Sequence, residues 1–118
     1  MTRPFKMLTF HAATLATAGL MLSATAALTR AAPAPTPVSV EIANFTFKAQ
    51  VLTVKPGTTV TWTNGDDIPH TIVSKDGLFK SKVLDSGDRF SFTFAKTGQF
   101  GYFCSIHPHM TGTIVVTA

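Results

Sequence analysis

Residues 98–117 read Gly98-Gln99-Phe100-Gly101-Tyr102-Phe103-Cys104-Ser105-Ile106-His107-Pro108-His109-Met110-Thr111-Gly112-Thr113-Ile114-Val115-Val116-Thr117. The aromatic residues before Cys104 and the β-branched residues after Gly112 predict two strands. Between them the chain must turn at once, because Pro108 fixes its own φ and disfavours helical geometry at His107. The stretch therefore predicts a strand, a stiff loop and a second strand.

Short alternating or β-branched segments recur upstream, at residues 38–42, 51–54, 58–63, 70–73 and 90–94. Glycine and proline punctuate them, and no segment of the domain has a helical period. We therefore expect an all-β fold, a Greek-key antiparallel β-sandwich. Residues 74–88 are polar and rich in turn residues. They predict a loop between strands, and a short strand or a helical turn within it remains an alternative. Its possible anchors are Leu78, Phe79, Val83 and Leu84.

The first 37 residues differ in composition from the rest of the chain. Arg3 and Lys6 precede an uncharged stretch over residues 7–28, and Ala24-Thr25-Ala26 resembles a cleavage site. This pattern predicts a signal peptide at residues 1–26, although the stretch is nearly long enough for an uncleaved membrane anchor. Residues 27–37 form a Pro/Ala-rich leader, and residues 38–118 form the domain. We expect export to the periplasm, with no stable membrane insertion after cleavage.

The charge argues against one class of partner. The 118 residues carry a formal net charge of +4. Removal of residues 1–26 takes away Arg3 and Lys6, which leaves eight basic and six acidic residues, a net charge of +2. No lysine- or arginine-rich run exists, so we expect no nucleic-acid partner.

Four side chains have the chemistry of a copper site. Cys104, His107 and Met110 offer a thiolate, an imidazole and a thioether on one loop, and these are three of the four ligands of a blue-copper centre. The missing histidine is predicted to be His70, which follows Pro69 at the head of another strand. The alternatives are a buried structural cysteine and a methionine that fills the core. We expect His109 not to be a ligand.

Two further residues are predicted to support these ligands. The backbone N–H of Thr71 is expected near the Cys104 sulfur, where a hydrogen bond would tune the thiolate. Asn64 is expected to pin the loop before His70. Ordinary strand and turn roles remain open for both. Trp62 and the phenylalanines are expected in the core.

With these residues the chain resembles the cupredoxins, and most closely the amicyanin and plastocyanin-like small blue-copper proteins. The resemblance covers about residues 40–116 and rests on segments 42–47, 60–64, 69–70 and 98–104 together with the loop. The two residues between Cys104 and His107, and the two between His107 and Met110, match the short amicyanin-type loop. The resemblance implies one type 1 copper near one end of a sandwich. It also implies that His107 reaches the surface through an apolar patch to which Pro69, Ile106 and Pro108 could contribute.

The sequence departs from amicyanins at two positions. Thr71 stands where an asparagine is usual, and His109 where an apolar residue is usual. A methylamine dehydrogenase partner is therefore in doubt.

These observations favour a non-enzymatic, monomeric electron carrier. Its partners would be redox proteins, such as a dehydrogenase donor and a cytochrome c or oxidase acceptor. A copper-binding carrier or storage protein is the alternative, because His109 stands beside Met110. An enzyme with an open copper position is a third hypothesis, and Met110 as an axial ligand would oppose it.

Overall fold

The computed structural model describes residue 16, residues 18–27 and residues 33–118. The elements of this part of the chain are eight strands and no helix. They are β1 (Val38–Ala43), β2 (Thr46–Lys48), β3 (Val51–Val54), β4 (Thr58–Asn64), β5 (Val73–Ser74), β6 (Arg89–Phe94), β7 (Gly98–Phe103) and β8 (Thr111–Val116). No helix long and apolar enough to cross a membrane occurs in these described ranges.

The strands form two four-stranded sheets, ordered β2-β1-β4-β6 and β3-β8-β7-β5. The predicted β-sandwich is confirmed, but the sheets are mixed where purely antiparallel sheets were expected. β1 pairs with β4 in parallel, and β3 pairs with β8 in parallel. The reason is the path of the chain: after the β1–β2 hairpin it crosses to the other sheet as β3, and it returns to the first sheet as β4, beside and parallel to β1.

Alternation of side chains places the core between the sheets. In β4, every second side chain from Thr58 to Asn64 is buried. The indole of Trp62 packs against Tyr102 with ring centroids 5.3 Å apart, and Tyr102 packs against Phe47 at 4.7 Å. The predicted core role of Trp62 is confirmed, since its side chain is fully buried.

The connection at residues 74–88 is anchored by only two of its four predicted anchors. Phe79 and Leu84 are buried in the core, whereas Leu78 and Val83 are about half exposed. The strand predicted at residues 70–73 was wrong in extent, because β5 contains only Val73–Ser74. His70 instead forms an isolated antiparallel bridge with Leu84, so the long connection supports the start of that segment.

Most of the N-terminal predictions concern residues outside the part of the chain that the structure describes. Residues 1–15, residue 17 and residues 28–32 lie outside the described residues, and most of the predicted signal peptide and part of the leader fall there. Residues 33–37 of the leader are described and belong to no strand. The first strand, β1, begins at Val38, and the boundaries of the signal peptide, the leader and the domain stay predictions.

Gly112 in β8 is required by the aromatic residue that faces it. Gly112 is the register partner of Tyr102, and a Cβ at position 112 would lie 2.4 Å from the Tyr102 ring. Because Tyr102 is fully buried, its ring has little room to move away. We expect Gly112→Ala to lower the free energy of unfolding by about 1–3 kcal/mol or more, as overpacked cores do.

Urea denaturation measures this change. The control is Gly112→Ala combined with Tyr102→Leu, in which the added methyl group has space. In a double-mutant cycle the loss from Gly112→Ala is expected to shrink in this background. An equal loss in both backgrounds would contradict the clash.

Candidate metal centre

The loop that carries three of the predicted ligands is closed on itself. β7 ends at Phe103, β8 begins at Thr111, and the loop lies between them. The Cys104 N–H donates to the Met110 carbonyl at 3.1 Å, and the Met110 N–H donates to the His107 carbonyl at 2.9 Å. The second of these bonds closes a turn with Pro108 at its second position, where proline is favoured. The loop therefore has little freedom.

The backbone of His70 is held by Leu84, in the connection at residues 74–88. Its N–H donates to the Leu84 carbonyl at 3.1 Å, and its carbonyl accepts from the Leu84 N–H at 2.8 Å. The Asn64 amide donates to the carbonyls of Ile68 and Leu84, and its oxygen accepts from the Asp66 N–H. The prediction that Asn64 pins the loop before His70 is confirmed. The imidazole itself is fully buried.

The structure brings His70, Cys104 and His107 together. Their ligand atoms all lie within 4.8 Å of one another, and no other such group occurs in the described residues. The Cys104 Sγ is 3.8 Å from the Nδ1 of His70 and 3.8 Å from the Nδ1 of His107. Metal bonds of about 2.0–2.3 Å place two ligand atoms of one ion up to about 4.4 Å apart. A buried thiol between two imidazoles is a donor set that suits copper.

The surroundings of Cys104 favour its thiolate form. Burial acts to raise the pKa of the thiol. The Thr71 backbone N–H, the His70 ring and both the backbone N–H and the ring of His107 outweigh burial and lower the pKa to about 6. The Thr71 N–H lies 3.4 Å from the sulfur, so the predicted hydrogen bond is confirmed. The thiolate is the form that binds metals.

Thr71 also links the two halves of the site. Its hydroxyl lies 2.7 Å from the Ser105 hydroxyl and accepts from the Ser105 N–H at 2.8 Å. The same hydroxyl is 3.8 Å from the Cys104 sulfur. The threonine that departs from the amicyanin pattern therefore ties the segment that contains His70 to the loop that contains His107.

The second nitrogen of the His70 ring contacts a residue that was not predicted from the sequence. The Nε2 of His70 lies 2.9 Å from Oδ2 of Asp66. Burial acts to raise the pKa of the Asp66 carboxyl, but hydrogen bonds from the Phe45 N–H, the His70 ring and the Asn44 N–H lower it overall. An acidic residue four positions before a histidine is too common a pattern to signal such a contact.

Met110 and His109 differ in solvent exposure. Met110, the last residue of the loop, is buried in the core and is 5% exposed. His109 is exposed and lies outside the cluster of three ligand atoms. Both observations are consistent with the predicted roles, and the thioether of Met110 as a ligand stays a prediction.

Several apolar residues are exposed next to the site. His107 is partly exposed, and its neighbours Ile106 and Pro108 are exposed, as is Pro69 before the other histidine. Phe45 was expected in the core with the other phenylalanines, and for this residue the prediction is wrong, because Phe45 is 47% exposed. Its ring lies edge-on to His107, with centroids 5.1 Å apart.

Comparisons with known proteins agree with this geometry. Residues 12–116 match the family described as "Cupredoxin-like domain". The chain is 36% identical to amicyanin-alpha of Methylorubrum extorquens over 89% of its own length and 91% of that protein. It is 33% identical to amicyanin of Paracoccus versutus over 67% of its own length, and it spans only 64% of that protein.

Solved structures give the same result. A purple cupredoxin from Nitrosopumilus maritimus superimposes with a TM-score of 0.64 at 36% identity, covering 68% of this chain and 99% of that one. A copper-containing nitrite reductase from Thermus scotoductus superimposes with a TM-score of 0.66 at 35% identity. That match covers 78% of this chain but only 25% of the enzyme.

Proposed function

Because the chain belongs to the cupredoxin-like family, we propose that it is a periplasmic protein that shuttles single electrons between redox partners. Its cofactor is one type 1 copper, which supplies a one-electron Cu(I)/Cu(II) couple when bound. The proposed ligands are His70, Cys104, His107 and Met110. The observation that carries the proposal is the position of Cys104 Sγ, 3.8 Å from the Nδ1 atoms of both histidines.

The burial of the donors favours electron transfer over delivery of the metal. His70 and Cys104 are fully buried, and Met110 is 5% exposed. A carrier or storage protein would have to release copper past these groups, whereas an electron needs only a path to the partly exposed His107. The exposed His109 is the observation on which the carrier alternative still depends.

We also propose that the chain is not an enzyme. The nitrite reductase that it resembles is about four times as long as the matched part, since the match covers 25% of that protein. In the described ranges only one group of three or more His, Cys, Asp or Glu side chains could hold a metal ion, and its members are three of the four proposed type 1 ligands. The donor is proposed to be a dehydrogenase and the acceptor a cytochrome c or an oxidase.

Residues 1–26 are proposed to direct export, residues 27–37 to form a leader, and residues 38–118 to act as a monomeric domain. The uncharged N-terminal stretch and its cleavage-like end support the first of these proposals. Mass spectrometry of the protein from the periplasmic fraction tests it, because cleavage after Ala26 would leave Ala27 at the N-terminus.

The copper content and the visible spectrum of the purified protein test the proposed function. We expect one copper per chain and an intense band in the oxidised protein that bleaches reversibly on reduction. Copper bound with only weak colour would contradict a type 1 site and favour the carrier alternative.

Replacement of Met110 tests the axial role. We expect Met110→Leu to retain copper and to raise the reduction potential, because the axial ligand tunes that potential. A rise of about 60 mV would correspond to a tenfold change in the relative affinity for the two oxidation states. Voltammetry measures it, with Ile114→Leu as a core control of similar burial. An unchanged potential would mean that Met110 only fills the core.

A further inference from the structure

The turn between β1 and β2 has an unusual backbone. Ala43 pairs with Thr46, so the loop contains only Asn44 and Phe45. Both have positive φ, 53° and 57°. Two-residue hairpins of this kind need positive φ at both positions and usually have Asn-Gly. Asn44 fits this rule, whereas Phe45 stands where glycine is preferred, and an outlier of this kind is common at functional sites.

One carboxylate holds this turn. Oδ1 of Asp66 accepts from the Asn44 N–H at 2.6 Å, and Oδ2 accepts from the Phe45 N–H at 2.9 Å. Successive backbone N–H groups directed at one anion form a nest. Oδ2 is also 2.9 Å from the Nε2 of His70. The turn and a proposed copper ligand therefore share a single carboxylate.

The turn positions the side chain of Phe45 beside the two histidines. Its ring lies edge-on to His70, with centroids 5.5 Å apart and an interplanar angle of 89°. It lies edge-on to His107 at 5.1 Å and 83°. The ring thus contacts both imidazoles that flank Cys104, while 47% of its surface remains exposed.

We propose that Asp66 is a positioning residue that locks His70 and the Asn44–Phe45 turn into one unit, and that Phe45 is thereby held as a cover over both histidine ligands. This inference rests on the proposed function. The Asp66 carboxylate accepts the Nε2–H of His70, which fixes the tautomer and leaves the Nδ1 lone pair directed at the metal position. The Phe45 ring restricts rotation of both imidazoles and the access of water to them.

Asp66→Asn tests the carboxylate against Asp67→Asn, which removes the same charge at the adjacent exposed position. The amide keeps the size of the side chain, but it has one acceptor oxygen for three donors. In the metal-free protein, we expect hydrogen exchange of the Asn44 and Phe45 amides to accelerate by about tenfold or more in Asp66→Asn and by less than about twofold in Asp67→Asn. The slowly exchanging Nε2–H signal of His70 should be lost only in Asp66→Asn.

Copper affinity provides the second measurement. We expect Asp66→Asn to lower the Cu(II) affinity, measured by competition with a chelator, by about 10- to 100-fold, as loss of a partner to a metal-bound histidine does. Asp67→Asn should leave it unchanged. Equal behaviour of the two variants in both measurements would overturn the proposal and leave Asp66 as an ordinary turn cap.

Two replacements of Phe45 separate the ring from the backbone. Phe45→Ala and Phe45→Gly both remove the cover, but only glycine adopts positive φ without strain. We expect both variants to release copper to the chelator faster than the wild type, and to similar extents. The metal-free glycine variant should have the higher Tm of the two. Release at the wild-type rate in both variants would overturn the role of the ring.

These experiments separate failure of this inference from failure of the proposed function. A wild-type protein that lacks the intense visible band would contradict the proposed function. The exchange and Tm measurements on the metal-free protein would still confirm or overturn the link between Asp66, the turn and His70.

Discussion

Cys104→Ser is expected to abolish the intense visible band, with no trace of it remaining at saturating copper. The colour of a blue-copper site depends on a thiolate bonded to the metal, and Cys104 is the only cysteine in the chain. The hydrogen bonds that lower the thiol pKa to about 6 converge on this one sulfur, and a serine hydroxyl at the same place would remain protonated. Titration with Cu(II) followed by absorption and metal analysis measures the loss.

The control moves the thiol by one residue. Cys104→Ser combined with Ser105→Cys restores a cysteine to the loop, but at an exposed position outside the cluster of ligand atoms. We expect this variant also to lack the band, which shows that position and not composition matters. Urea denaturation of the metal-free variants checks that both remain folded. A band that persists in Cys104→Ser would remove Cys104 from the ligand set.

The loop ligands could be predicted from the sequence because their separation along the chain is short. The two residues between Cys104 and His107 leave few backbone paths, and the structure places the two ligand atoms 3.8 Å apart. His70 is 34 residues from Cys104, and it was predicted by elimination among few histidines. Its contact with the sulfur depends on the pairing of β5 with β7, which brings the two segments together.

Asp66 lies only four residues before His70, but such a spacing is too common to indicate a contact. Phe45 could not be predicted because it lies 62 residues before His107, and the parallel pairing of β1 with β4, on which the position of its turn depends, is not specified by strand periodicity. An alternating pattern identifies which face of a strand is buried, but it does not identify the neighbouring strand or its direction. The β-sandwich was therefore predictable from the pattern, whereas the mixed sheets and the turn over the histidines depend on which strands become neighbours.

The two histidines provide the second large expected effect, because they differ in exposure. His107 is partly exposed and follows exposed Ile106, while His70 is fully buried and held by Asp66 and Leu84. We expect added imidazole to restore the visible band of His107→Gly at lower concentration than that of His70→Gly, because the missing ring can be replaced directly from solvent at position 107.

Electron exchange should then fall more in the rescued His107→Gly variant than in the rescued His70→Gly variant. An imidazole that is not attached to the chain has no fixed orientation toward a partner, whereas the His107 ring is held by the loop and by Phe45. We expect the exchange rate to drop by about tenfold or more, equivalent to roughly 1.4 kcal/mol in the activation barrier. Self-exchange measured by NMR line broadening provides the rates. Equal rates in the two rescued variants would mean that electrons do not leave through His107, and the exposed apolar residues around it would need another explanation.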